Sequence, residues 1–488
     1  MWPALGTMGT QTALREIPMS LLIQNGRIVT ATDDYTADIY CENETITRIG
    51  DHIDAMSVKN AEVIDAAGKL VFPGFIDPHV HIYLPFMGTY AKDTWETASR
   101  AALIGGTTTL IEMICPHKID QPIAAFETWL GKATGAASCD FTFHMGVTRF
   151  DEMAEQELRE IVKRGITSFK VFLAYKAALG VDDSELYQTL RLAKELGVVV
   201  TAHCENETLV HLRQQELLAA GKTGPEFHGP SRPVQVEAEG VHHLMTFAEL
   251  TGAEVYVVHT SCDEAVREAM CAIERGVKAH IEVVLPHLLL DQSYTQGGQP
   301  LRGGSSSDFE GAKYVMSPPL RDKSQLPKMW SHVKSRVAST IGTDHAPFDF
   351  EAQKTMGKGD FTKIPNGIPS VQDRVNLLYT HGVTAGRIDL HTFVDAASTQ
   401  AARIFGLKGK GTIAVGADAD LVVYDTTYRG KISAKTQAMA SDYNAFEGWE
   451  IKGRPSVVTV RGQVMARDGA FVGKPGQGRR VPRGTLAS

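Results

Sequence analysis

Several things are scarce in this 488-residue chain, and each scarcity removes a class of protein. No run of residues stays apolar long enough to span a bilayer, so no membrane-crossing helix is expected. Cysteine is sparse: six residues, at 41, 115, 139, 204, 262 and 271, with no C-x-x-C pair among them. A chain of this size needs no disulfides to hold its core, so these read as reduced thiols in a cytoplasmic protein. Blocks of like charge are missing apart from Arg479-Arg480, and a formal net charge of −8 speaks against nucleic acid and membrane surfaces as partners. Residues 1–19 have no basic start and no continuous apolar stretch. They do not read as a signal peptide, and a loose N-terminal extension is expected there. No glycine-rich phosphate loop follows the first apolar strand, which places a doubly wound nucleotide-binding sheet second.

What is present is a chain with two kinds of patterning. Short alternating runs such as Leu21-Leu-Ile-Gln-Asn-Gly-Arg-Ile-Val29, Ala37-Asp-Ile-Tyr-Cys41 and Thr45-Ile-Thr-Arg-Ile49 suggest a small β-sheet unit. A matching set recurs at the far end, in Asp418-Ala-Asp-Leu-Val-Val-Tyr424, Ser456-Val-Val-Thr-Val460 and Gln463-Val-Met-Ala466. Between them, β-branched apolar runs alternate with amphipathic helices, several closed by glycine, as expected of βα units with buried parallel strands. Eight strands are read: 74–81, 107–113, 140–147, 168–175, 198–204, 254–261, 277–284 and 339–345. The fold expected is therefore α/β, a (β/α)8 TIM-type barrel with a small β-sandwich domain built from both termini. The boundaries read as an extension at 1–19, the β-sandwich at 20–73 and 411–472, the barrel at 74–410, and a C-terminal tail at 473–488. The Gly- and Ser-rich stretch 285–316 interrupts the alternation, either as a cover for the barrel mouth or as a surface insertion.

Barrel active sites form at the C-terminal ends of the strands, so the residues there matter most. The first strand ends in His79 and His81, one residue apart, which places both imidazoles on one face. The fifth ends in His203, the sixth in His259 and the eighth in Asp344. Any one histidine at a strand end is usually structural. Four histidines and an aspartate in such places together predict a metal centre.

Lys170, in Ser168-Phe-Lys-Val-Phe172, is the odd member, because a cation among metal-binding imidazoles repels a metal. Burial among Phe169, Val171 and Phe172 favours the neutral amine. A neutral amine can add carbon dioxide to become a carbamate, an anionic oxygen ligand able to bridge two metals. The alternative is a lysine whose amine reaches solvent at the strand end.

The motifs Pro73-Gly-Phe-Ile-Asp-Pro-His-Val-His81, Ser168-Phe-Lys170, Ala202-His203-Cys-Glu-Asn206, Val258-His259-Thr-Ser261 and Gly342-Thr-Asp344-His-Ala-Pro347 together resemble the cyclic amidohydrolases, and within them the dihydropyrimidinase and hydantoinase family. The likeness runs from about residue 20 to residue 472. It implies that Lys170 is carboxylated (N6-carboxylysine), that His79 and His81 hold one zinc with Asp344, that His203 and His259 hold the other, and that the carbamate and a hydroxide bridge them. It implies Asp344 as the proton shuttle and Tyr175 as the oxyanion-stabilising hydroxyl. Ser317, in Met316-Ser-Pro-Pro-Leu-Arg321, and Asn366, in Ile364-Pro-Asn-Gly-Ile368, match positions that hold the imide edge of the ring, and a homotetramer is implied as well.

The reaction so implied is hydrolytic opening of dihydropyrimidines and 5-substituted hydantoins to N-carbamoyl amino acids. Dihydroorotase and allantoinase share the metal site, but they place an arginine soon after the second histidine. Here the run is Ile82-Tyr-Leu-Pro-Phe-Met87, without a cation, which favours a substrate lacking a carboxylate. Leu84, Phe86 and Phe172 are candidates for an apolar pocket around the ring substituent. A non-catalytic scaffold like the collapsin-response mediator proteins is the reading from another class, and retention of all six ligands stands against it. Ala346, where cysteine is frequent, and Cys204, where alanine is common, are the departures from the family wording.

Overall fold

The computed structural model describes residues 20–58, 61–296 and 309–485. The expected extension at 1–19 lies outside them, as does 297–308 within the Gly- and Ser-rich stretch. Eight parallel strands form the central sheet: Phe75–Val80, Thr107–Ile114, Asp140–Gly146, Ser168–Phe172, Val199–His203, Val255–Val257, Ala279–Val284 and Thr340–Gly342. Each pairs with the next in chain order, and the last returns to the first. Asp344 N donates to His79 O at 3.0 Å and His81 N donates to His345 O at 2.8 Å, closing the barrel at the level of the expected ligands.

The strand sequences explain the closure. Runs such as Phe141, Phe143 and Met145, or Phe169 and Val171, are fully buried and pack into one continuous core. Each such side chain contributes roughly 1.5–3 kcal/mol by leaving water. The intervening helices supply the outer layer. Helix Glu152–Lys163 buries Ala154, Leu158 and Ile161, the i, i+4, i+7 stripe of a half-buried helix. Thr94 and Asp182 start their helices with capping boxes, and Gly197 ends one in the left-handed conformation.

The strands before residue 74 and after residue 420 share one nine-stranded sheet. Strand Ser20–Val29 carries a register shift between Ile23 and Gly26, and the sheet forks there. Its first half pairs with Ala61–Asp65 and its second half with Leu70–Pro73. Leu421–Lys431 then pairs antiparallel with Leu70–Pro73, joining the two ends of the chain. The sheet curls until strand Thr45–Gly50 bonds back to the segment before Leu421, with Ile46 N donating to Ala417 O at 2.8 Å. Leu21, Ile39, Ile46, Val71, Leu421 and Val423 fill the small core so enclosed.

Two segments carry more structure than their sequences suggested. The stretch after the seventh strand opens with helix Leu285–Leu289, fully buried in the barrel core. The C-terminal tail docks against the barrel: Phe141 N donates to Arg479 O, Val481 N to Phe141 O and Arg483 N to Gly165 O, at 2.7–3.0 Å. The Arg483 guanidinium is buried, donating to Phe143 O and to Ser168 Oγ. No described helix is long and apolar enough to cross a membrane, and all six cysteines are free.

Candidate active site

All twelve residues singled out in the sequence come together at the C-terminal end of the barrel. His79, His81 and Asp344 form a group whose ligating atoms lie within 4.8 Å of one another. His79 Nε2 is 3.3 Å from His81 Nε2, and Asp344 Oδ1 is 3.2 Å from both. His259 packs beside His79, with ring centroids 5.3 Å apart, and its Nε2 is 3.0 Å from His203 Nδ1.

Carboxylates behind the histidines decide which nitrogens face inward. His79 Nδ1 donates to Glu282 Oε2 at 2.8 Å, leaving the Nε2 lone pair toward His81 and Asp344. His203 Nε2 donates to Glu205 Oε2 at 2.9 Å, leaving Nδ1 toward His259. Burial keeps the His79 and His259 imidazoles well below their ordinary pKa, hence neutral, and lowers His203 as well. His79 Nε2 and His203 Nδ1 thus present lone pairs inward, and on His81 and His259 the outer ring nitrogen Nδ1 has no hydrogen-bond partner among the described residues, leaving Nε2 of each available to a cation. The donor set therefore fits a metal.

Glu282 also accepts the His259 backbone N–H at 2.9 Å and the Tyr256 hydroxyl at 3.2 Å. Burial pushes its pKa up to about 8, yet the three donors facing it suit an ionised carboxylate. The neighbouring Gly342 leaves it room: a Cβ there would stand 2.4 Å from Glu282 Oε1. Glu205 is paired with the buried Arg232 at 2.5 Å. Burial would raise its carboxyl, but Arg232 and His203 outweigh that and hold it down to about 2.

Lys170 is fully buried and its Nζ has no hydrogen-bond partner among the described residues. It does not reach solvent as the alternative reading required. It lies 4.7 Å from the centroid of the Phe172 ring, and burial lowers its pKa to about 8 despite the nearby Asp344 carboxylate. An amine so placed is in part neutral near physiological pH. For Asp344, burial acts upward, but His79 and His81 hold the carboxyl below its usual range.

A cleft of about 440 Å³ opens over these groups. Tyr175, Ser317, Asn366, Leu84, Phe86 and Phe172 all line it. Asn366 Nδ2 donates to Ser317 Oγ at 2.9 Å and to Tyr175 Oη at 3.2 Å. Burial raises the Tyr175 pKa, so the phenol keeps its hydrogen. With its oxygen accepting from Asn366, that hydrogen is free to point elsewhere. Phe86 packs edge-on to Tyr175, with centroids 5.3 Å apart. No lysine or arginine lines this cleft among the described residues.

Three of the site residues have left-handed backbones although none is glycine: Tyr175 at φ 62°, His259 at φ 39° and Asp344 at φ 52°. Strain of this kind, of order 1–3 kcal/mol each, persists where surrounding structure over-determines it and concentrates at functional sites. Sequence reasoning missed Glu205, Glu282, Arg232 and Leu179, which also lines the cleft. A signal existed for Glu282, an acid inside the otherwise apolar strand Ala279–Val284, and for Glu205, two residues beyond His203.

Comparison with known proteins agrees with this geometry. Residues 70–465 match the model of the amidohydrolase family. The chain is 46% identical to a D-hydantoinase of Geobacillus stearothermophilus over 467 residues, covering 95% of this chain and 97% of that one. It is 35% identical to the dihydropyrimidinase of Rattus norvegicus over 481 residues, 96% and 89% of the two chains. Among solved structures, a D-hydantoinase (dihydropyrimidinase) from Thermus sp. superposes with a TM-score of 0.91 at 61% identity, covering 95% of this chain and 99% of that one.

Proposed function

The chain belongs to the amidohydrolase family, and from that premise we propose that it opens the cyclic amide bond of dihydropyrimidines and 5-substituted hydantoins, yielding N-carbamoyl amino acids. The observation that carries this reading is the convergence of four imidazoles, an ionised carboxylate and a buried amine without a hydrogen-bond partner among the described residues, at and behind one cleft.

Two zinc ions suit this donor set, with His79, His81 and Asp344 holding one and His203 and His259 the other. Lys170 would join both as a carbamate. In that step the amine nitrogen bonds to the carbon of carbon dioxide and one N–H proton leaves, so the side chain ends as an anion. This supplies negative charge that four imidazoles lack. Bound ions would acidify a water and polarise the ring carbonyl, overcoming the weakness of both reactants at neutral pH.

The chain's own residues then have distinct tasks. Asp344, held ionised, takes the proton of the attacking water and passes it to the leaving ring nitrogen. Tyr175 donates its hydroxyl hydrogen to the oxygen on which charge develops, and Asn366 fixes the direction of that hydrogen by occupying the phenol oxygen. Ser317 and Asn366 hold the imide edge. Leu84, Phe86 and Phe172 take the ring substituent. The cleft offers no cation to a carboxylated ring among the described residues, which separates this reading from dihydroorotase. The joint presence of all six ligating groups separates it from a scaffold role. Cytoplasmic placement, read from the scattered unpaired cysteines, and a homotetramer, which rests on the resemblance alone, complete the proposal.

The test is a ring-opening assay over dihydrouracil, a 5-aryl hydantoin, allantoin and dihydroorotate, with metal analysis of the same sample. Turnover of the first two supports the reading. Turnover confined to dihydroorotate or allantoin overturns it.

A further inference from the structure

The geometry points to Lys354 as a positioning residue for substrate binding, whose amine ties together the two loops that carry Ser317 and Asn366. This rests on the reading of those two residues as the edge that holds the imide. Lys354 is fully buried, and its Nζ donates to three backbone carbonyls: Val315 O at 2.9 Å, Pro365 O at 2.6 Å and Gly367 O at 2.8 Å. An ammonium carries three hydrogens, so each has an acceptor. A neutral amine, with two hydrogens, still serves two of the carbonyls, and Val315 O keeps the Gly367 N–H as its donor.

The three carbonyls belong to the segments that bear the cleft residues. Val315 is two residues before Ser317, and Pro365 and Gly367 flank Asn366. The loops also bond directly, Gly367 N donating to Val315 O at 2.9 Å, and Asn366 Nδ2 completes the join at Ser317 Oγ. Gly367 is pressed against the loop after Asp344, where a Cβ would stand 2.2 Å from Ala346 O. The amine lies 5.8 Å from the centroid of the buried Phe348 ring, and Val315, Phe361 and Ile364 on the segments it joins are buried as well. Among the described residues no other side chain bonds to all three carbonyls.

Burial pushes the Lys354 pKa well below its ordinary value, with no carboxylate charge to offset it, and a polar group so buried is costly unless the bonds it makes are needed. Here they hold the spacing between Ser317 and Asn366, and through Asn366 the phenol of Tyr175. Lys354 is not among the grouped metal-binding side chains and does not itself line the cleft, which it meets only through the backbone of Gly367. Its loss therefore bears on substrate affinity and leaves metal content intact.

The experiment compares Lys354→Met, which keeps the stem but has no donor, with Lys354→Arg, which restores donors, and with Asn366→Ala. KM for dihydrouracil, kcat and metal content are measured for each. The inference expects Lys354→Met to raise KM on the order of tenfold, with kcat changed far less and metal content equal to wild type, and Lys354→Arg to recover part of the loss. Unchanged KM in Lys354→Met alongside a raised KM in Asn366→Ala overturns the role of Lys354. Unchanged KM in both overturns the reading of the edge itself. If Lys354→Met does not fold, native-state hydrogen exchange on the wild type decides: the Gly367 amide and the amides around Val315 should open together, and independent opening contradicts the clamp.

Discussion

Replacing Arg232 with methionine isolates the interaction behind His203 and His259, the second pair of proposed ligands. Arg232 is buried with its Nη1 2.5 Å from Glu205 Oε2, and Glu205 accepts the Nε2 hydrogen that sets the orientation of His203. Burial disfavours the Glu205 carboxylate, yet Arg232 and His203 bring its pKa from 4.5 to about 2. A folded-state value below the unfolded one stabilises the protein above the unfolded pKa, about 4.3, and the gain is lost as pH falls through about 2. At about 1.36 kcal/mol per pKa unit, this shift corresponds to roughly 3 kcal/mol at neutral pH. Breaking a buried ion pair by removing one partner costs about 3–5 kcal/mol, so the two routes agree. Urea unfolding of metal-free protein at neutral pH is the assay, since bound metal would add its own stabilisation. Arg232→Met should lose about 3 kcal/mol, and Arg232→Met with Glu205→Gln should regain part of it because no unpaired buried charge remains. A loss below about 1 kcal/mol, the range of an exposed pair, or a double variant no better than the single, would refute the reasoning.

Three further outcomes follow from the same geometry. Asp344→Asn keeps an oxygen toward His79 and His81 but cannot accept a proton. It should retain much of its metal and lose turnover by about 10²–10⁴-fold, and an unchanged rate would remove the shuttle. Glu282→Gln should lower metal occupancy by about 10–100-fold in affinity through loss of the ionised partner of His79, and titration with zinc showing wild-type affinity would contradict that role. Truncation after Gly473 removes the backbone bonds made at Ala137, Phe141 and Gly165. At about 1 kcal/mol each, the bonds the tail makes cap the loss at a few kcal/mol before the freed tail's entropy is counted. An unfolding midpoint equal to wild type would show that the tail contributes nothing.

The barrel was legible because its strands are buried on both faces and therefore read as unbroken β-branched and aromatic runs, as in Ser168–Phe172 and Val199–His203. Strand ends were less so. The runs 254–261 and 339–345 read as long strands, but regular pairing covers only Val255–Val257 and Thr340–Gly342. His259 and Asp344 then turn into the left-handed region, and no periodicity announces such a turn. Ligating residues were visible as polar side chains at the ends of apolar runs. Their supports were not, because Glu282 reaches His79 across 203 residues of chain and Arg232 reaches Glu205 from a separate loop. Lys354 was hidden for a related reason: a lysine bonded only to backbone leaves no paired side chain in the sequence to suggest its place. The docking of the tail on the strand of Phe141 joins distant positions, Arg483 reaching Phe143 O across 340 residues, and local pattern carries no trace of it.

The account depends most on the state of the Lys170 amine in metal-loaded, active enzyme. Electron density at that side chain, with metal content determined on the same preparation, tests it directly. The account predicts a planar carboxyl group on Nζ with one oxygen toward each of two ions. A bare amine standing away from both ions, in a preparation that turns over dihydrouracil at full rate, would contradict it.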